Sequence, residues 1–353
     1  MNIHSHLPVS KPSIPTDFEF VLMKTKVLIL LMLLVATFSH AQPNPPEFPR
    51  AVIVIIEDPE NNRLKAEEVY LMAVTPTQVA YKFNAADAEP EVKKRTEIDS
   101  IFLYDPKDYL EALDLFEARK YAEAKDAFAA VYKRYGRAYP GIPNNPGVMA
   151  GFYELECLRK LMDLEGLRVA LQSYKKDGLT NKVALQQLEV YVLWDAIRAN
   201  LNQEAIKIAE NYKGKRLPGH QRAQVAYCHG RALEGLNRPP HEILLAYQTA
   251  LTADAGNSEI IARDAALRSL AILDKDQEMK DAIRTFDESD GQEMIRGFTK
   301  AMEAAGLCQM FQIQLGAGEP LPAKYRYFLK YTPDIVQKAA EGGGGEEEKK
   351  DGE

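Results

Sequence analysis

The chain holds few side chains suited to a reaction centre, and their spacing limits what they can do. His220, Cys228 and His229 are the nearest approach to a set of metal ligands. A compact site needs ligands three or four apart on one helical face, or two short loop pairs, and these three fit neither arrangement. They read as a histidine capping a helix start and two residues within that helix. No H-E-x-x-H, C-x-x-C or G-x-S-x-G run occurs, nor a phosphate-cradling G-x-x-x-x-G-K-[ST] loop. Gly316-Ala317-Gly318 is an isolated turn, and Gly342 to Gly345 precede acids that would repel phosphate. Carboxylates are plentiful, but a glycosidase-like pair needs two of them held across a rigid cleft. Glu154 and Glu156 fall in a helical pattern and are assigned to its solvated face. Lys324 to Tyr331 is the one basic and aromatic cluster, a composition that in other settings stacks on nucleic-acid bases. The acidic balance of the chain favours a capping helix there, with Phe328 and Leu329 buried. The residues therefore predict no catalytic centre, no cofactor and no metal.

The elements that would have to position any site come next. With 353 residues, 46% hydrophobic and 27% charged, the chain has the composition of a globular protein with ample length for a core. A net charge of -7 argues against binding a phosphate backbone, which needs clustered Lys and Arg. Much of that acidity is local, since residues 341–353 carry six acids against two lysines and no apolar residue. That tail is expected to be disordered.

Met23-Lys24-Thr25-Lys26 precedes the apolar run Val27 to Phe38, then Ser39-His40-Ala41. A basic start, an apolar stretch too short for a span of about 20 residues and a small residue at the cut make a secretory signal peptide. Residues 1–41 are read as that signal, with translation starting at Met23; the alternative is an uncleaved N-terminal anchor. Residues 42–49 form a proline-rich leader. Cys157, Cys228 and Cys308 are an odd set spread far apart, so free buried thiols are expected.

Residues 50–104 read as a small β module of four antiparallel strands: Ala51 to Ile56, Val69 to Val74, Val79 to Phe83 and Ile98 to Tyr104. Thr75 to Gln78 forms a hairpin turn between the second and third, and Glu89 to Arg95 is a solvated loop or strand edge. From Asp105 the period shifts from two to about 3.6. Asp105 as N-cap and Pro106 as first helical residue open a run of paired helices. First helices start near 106, 147, 181, 220, 258 and 290, with partners at 121–135, 165–175, 203–212, 240–253, 276–287 and, more weakly, 307–315. Thr180, Asn202, Pro239-Pro240 and Asn257-Ser258 supply start signals. Units of about 30–40 residues, each unable to cover its own apolar face, define a mainly α helix-pair solenoid over residues 105–340, with capping helices from Pro320 to Ala340. Trp194, with Val190 and Ile197 on its helix, belongs to the core.

The stretch Tyr109 to Tyr132 resembles a tetratricopeptide repeat. Small Ala112 and Ala124 fall where the two helices must touch, Tyr121 sits at the turn, and Phe128 and Val131 take the large apolar positions. A looser match places Tyr227, Gly230, Tyr247 and Ala250 in corresponding roles, and a third uses Ala205, Ile208 and Ala209. The chain lacks the family's Trp and Leu-Gly pair, and a long loop with three prolines separates the first unit from the second.

The resemblance implies a concave groove, lined by first helices, that takes a protein or peptide partner. Tyr109, Phe116, Tyr227, Arg231 and Glu234 match groove-facing positions; packing against the adjacent repeat is the competing role for the two Tyr and Phe116. The function expected from this reading is a non-enzymatic adaptor or scaffold, exported to a bacterial periplasm or beyond. Two alternatives stand beside it: an envelope hydrolase or carbohydrate-binding protein using unrecognised carboxylates, and a β module that binds while the solenoid acts as spacer.

Overall fold

The computed structural model describes residues 48–334, apart from 62, 137, 138, 140, 255, 257, 292 and 316–318. The signal segment, most of the leader, the end of the capping region and the acidic tail fall outside the described residues. The chain divides into two units, one ending at Tyr104 and one beginning at Asp105.

The first unit is an antiparallel sheet of five strands in the order β4-β3-β2-β1-β5. They are β1 (Arg50–Asp58), β2 (Arg63–Val74), β3 (Gln78–Lys82), β4 (Glu91–Lys94) and β5 (Ile98–Leu103). Four strands were expected; the fifth is β4, in the charged Glu89 to Arg95 segment. As an edge strand it pairs only with β3, so its side chains, Val92 included, stay largely in water and give no apolar alternation in the sequence. The aliphatic run in β1 is not buried on both faces. Ala51, Ile53 and Ile55 are buried, while Val52, Val54 and Ile56 between them are half-buried, the period-two pattern of a sheet with one covered face. The β2–β3 turn closes as expected: the Thr75 N–H donates to the Gln78 carbonyl at 2.8 Å and Thr75 Oγ1 accepts from the Gln78 N–H at 2.9 Å.

The second unit is helical. It contains α1 (Lys107–Glu117), α2 (Tyr121–Tyr135), α3 (Pro146–Lys160), α4 (Leu164–Ser173), α5 (Lys182–Arg198) and α6 (Asn202–Glu210). These continue into α7 (Gly219–Gly235), α8 (Pro240–Ala253), α9 (Glu259–Leu273), α10 (Gln277–Glu288) and α11 (Phe298–Met310). Chain neighbours from α1 to α9 pack on one another, as do α10 and α11, and alternate helices also touch: α1 with α3, α5 with α7, α7 with α9, and α9 with α11. One continuous apolar core runs from Leu155 to Tyr331, with Trp194 fully enclosed.

The first four helix pairs share a local device. In the α1–α2, α3–α4, α5–α6 and α7–α8 turns, Arg119, Met162, Asn200 and Asn237 all have φ between 51° and 60°. In each turn the following N–H bonds five residues back: 120 to 115, 163 to 158, 201 to 196 and 238 to 233. This is the Schellman closure, which satisfies the last helical carbonyls and reverses the chain. The four sequences share little, so the repetition shows in the backbone more clearly than in residue types. Small residues sit where expected. Ala112 and Ala124 are fully buried, and a Cβ on Gly230 would lie 2.6 Å from the Tyr247 ring.

Several boundaries differ from expectation. Pro106, not Asp105, is the N-cap of α1. Asn181 rather than Thr180 caps α5, its side chain accepting from the Val183 and Ala184 N–H groups. Leu201 precedes α6, so Asn202 is its first residue. The sixth pair does not form: α11 starts at Phe298, because Asp290, Gly291 and Gly297 adopt left-handed backbone that cannot lie inside a helix. A second helix at 307–315 is likewise absent, as α11 runs on into a π-helical turn, Phe311–Leu315. The capping region contains a 3₁₀ helix, Ala323–Tyr331, packed on α11; Phe328 is buried, but Leu329 only half-buried.

Candidate functional site

The first helices of four successive pairs share one cavity of about 340 Å³. Phe116 of α1 and Met149, Phe152 and Tyr153 of α3 give it an apolar, largely aromatic wall. Val183, Ala184 and Gln187 of α5 and His220 of α7 form the other side. Phe116 and Tyr153 meet edge to face with centroids 5.2 Å apart, and Tyr153 stacks on Phe128 at 5.2 Å, so the wall is braced from behind.

A buried charge pair lies on α3 at this cavity. Glu156 was assigned to a solvated face, yet it is 8% exposed and Arg159, three residues on, is 4% exposed. Arg159 donates from Nε at 3.2 Å and Nη2 at 2.7 Å to the two oxygens of Glu156, a fork on a carboxylate. Tyr191 of α5 donates its hydroxyl to the same carboxylate. The assignment failed because α3 is enclosed by α1, α2 and α4 and has little polar face to offer. Burial works to raise the Glu156 pKa, but Arg159, the Tyr191 hydroxyl and Lys160 outweigh it and hold the group below its ordinary value. The carboxylate is therefore ionised near neutral pH.

Lys160 borders the cavity with its ammonium 5.2 Å from the Tyr121 ring centre and 6.0 Å from that of Phe116. Burial, with Arg159 adding to it, lowers its pKa. His220 is not a cap, since Pro218 holds that position; it is the second residue of α7 and faces the cavity. Burial holds it below the ordinary imidazole range, so it is neutral near pH 7. Behind Gln187, the Gln187 and Gln224 amides exchange hydrogen bonds at 2.8 and 3.1 Å, and Trp194 donates to Gln224 at 2.9 Å. The arrangement presents aromatic surface beside fixed charge and fixed amides, which suits recognition of a side chain having both an apolar body and a polar end.

Among the five residues picked from sequence, Phe116 alone borders this cavity. Tyr109 is buried against Phe128, with ring centres 6.1 Å apart. Tyr227, Arg231 and Glu234 join a polar chain over α7, α8 and α9. Arg231 donates to the Tyr227 hydroxyl at 3.0 Å and Tyr227 to Asp264 at 2.6 Å. Arg268 bridges Asp264 and Glu234, and Tyr247 donates to Glu234 at 2.6 Å. The residues that sequence reasoning missed were Phe152, Tyr153, Glu156, Arg159, Lys160 and Gln187. One signal was available: Glu and Arg three apart inside the apolar α3 pattern point to a pair formed out of water.

Lys330 and Tyr327 of the basic-aromatic cluster bind Asp287 and Asp274 at 2.8 Å each, which ties the 3₁₀ helix down. The three cysteines are free and buried. Among the described residues no three His, Cys, Asp or Glu side chains gather to hold a metal ion, and no helix is long and apolar enough to cross a membrane. Comparison of the chain with family models, with curated proteins and with solved structures finds no match.

Proposed function

We propose that this is an exported, tetratricopeptide-like helical-repeat protein of a bacterial envelope that acts as an adaptor, holding a segment of a protein partner on the concave face of an α-solenoid. The carrying observation is the cavity walled by α1, α3, α5 and α7. A groove along the first helices of stacked pairs is where such a repeat offers continuous surface to an extended chain. The four matching turns support equivalence of the pairs. Binding is favoured over hydrolysis by the state of Glu156. This carboxylate at the cavity is already held by Arg159 and Tyr191, in place of facing a second acid across a cleft.

The test is a photo-crosslinking amino acid at Met149, in the cavity wall, against the same group at Leu245 of α8, which is 65% exposed. Capture of a defined partner in cells from position 149, and its absence from 245, is the expected result. Equal capture from both positions, or capture from 245 alone, would overturn the groove assignment.

A further inference from the structure

The turn after α1 reaches a helix far along the chain. Arg119, in the left-handed position of that turn, pairs with Glu259, the first residue of α9, across 140 residues of sequence. The first and fifth helix pairs are thereby joined directly, although three pairs separate them in the chain. Between them lies a second cavity, of about 40 Å³, with Arg119 and Tyr121 on one side and Glu259 to Ile261 on the other. Arg159 and Lys160 border both this cavity and the larger one. Phe116, three residues before Arg119, stands in the wall of the larger cavity. The turn that the ion pair fixes is thus continuous with the wall of the proposed groove.

The pair has the properties of a fastening that opens at low cost. Arg119 keeps 58% of its side chain exposed and Glu259 25%. An ion pair with its guanidinium mostly in water contributes little and is weakened by salt. Two side chains on separate pairs, bonded to each other at the surface, can part without disturbing the core beneath.

We propose that Arg119 and Glu259 form a releasable clasp that closes the first helix pair onto the fifth and limits access to the cleft holding Lys160. The proposal concerns control of the groove assigned above and rests on that reading for its purpose, but its test needs no partner. The two can therefore fail separately.

The measurement is the rate at which a water-soluble acylating reagent modifies Lys160, followed by peptide mass spectrometry, with amide exchange at Lys120 and Tyr121 as a second readout. Arg119→Glu and Glu259→Arg should each speed acylation roughly threefold to tenfold, the range set by losing a surface pair and adding repulsion. The Arg119→Glu/Glu259→Arg double variant should return to the parental rate. Arg119 lowers the Lys160 pKa, so its removal alone favours the unreactive ammonium. A faster reaction in Arg119→Glu therefore reports access, while for Glu259→Arg, where an added cation itself favours the reactive amine, amide exchange is the deciding readout. In the parent, raising salt from about 0.05 to 0.5 M should mimic the single variants, and in Arg119→Gln it should have no effect. Single variants at the parental rate, faster reaction without rescue in the double variant, or equal salt response in Arg119→Gln would each overturn the clasp.

Discussion

The Arg159 Nη2 atom lies 2.7 Å from a carboxylate oxygen of Glu156, and neither residue is more than 8% exposed. Two charges so enclosed are held by each other and by the Tyr191 hydroxyl, and removal of either leaves the other without water or counter-charge.

Glu156→Gln or Arg159→Met alone should therefore cost about 3–5 kcal/mol, while Glu156→Leu with Arg159→Met should recover most of that loss, because burying apolar groups avoids the desolvation of two ions. Urea unfolding of the two single variants and the double variant measures the coupling. A double variant as unstable as the sum of the singles would mean that the pair is not the unit.

The same pair sets a dependence on pH. The Glu156 carboxyl is held below its ordinary value of 4.5, so its contribution is fully present above that value and declines as pH falls through the lower, folded-state pKa. Stability of the parent should fall on acidification in that window, and Glu156→Gln should show a shallower fall. Parallel stability–pH curves for the two proteins would refute this.

Asn200 closes the α5–α6 turn at φ 55° with its side chain exposed. Asn200→Val should cost about 1–2 kcal/mol, since a β-branched residue is strained there, whereas Asn200→Gly should change stability by only a few tenths. Thermal unfolding of both variants distinguishes backbone strain from lost side-chain contact, which would affect both alike.

Gly230 admits the Tyr247 ring where a methyl group would stand 2.6 Å from it. Gly230→Ala should destabilise by about 1–3 kcal/mol through overpacking between α7 and α8. Adding Tyr247→Leu should relieve part of that cost, and a cycle of the three variants shows whether it does.

Burial raises the thiols of all three cysteines, Cys157 and Cys308 to about 12. None should react with a disulfide reagent in the native protein, and the rate should follow unfolding as urea is added. Rapid reaction of one thiol in buffer would show local opening around it.

Legibility of the fold followed how each residue type expresses itself locally. Helix pairs were readable because apolar residues recur at about 3.6, whereas the side-chain caps at Asn145, Asp163, Asn181 and Asp276, which bond to the first-turn N–H groups of their own helices, were not among the start signals read from sequence. Ala112, Ala124 and Gly230 marked close contacts because only small side chains fit there. β4 was readable only as a loop or a strand edge, since an edge strand in water keeps its charges. The failed sixth pair lay in a stretch with helical spacing whose left-handed residues, Asp290 and Gly297, carry no unique sequence mark.

The site was far less legible, for a physical reason. A period shows that a helix has an apolar side, but not which neighbour covers its polar residues. Sequence by itself determined the β-then-α order, the recurrence of helix pairs and the small residues at their contacts, all set by forces acting within a few turns of chain. Tertiary structure alone decided that Glu156 leaves water to meet Arg159 and Tyr191, that Phe116 and His220 face one cavity, and that Arg119 reaches Glu259. Those relationships depend on how successive pairs stack, and stacking sums many weak contacts between residues far apart in the chain.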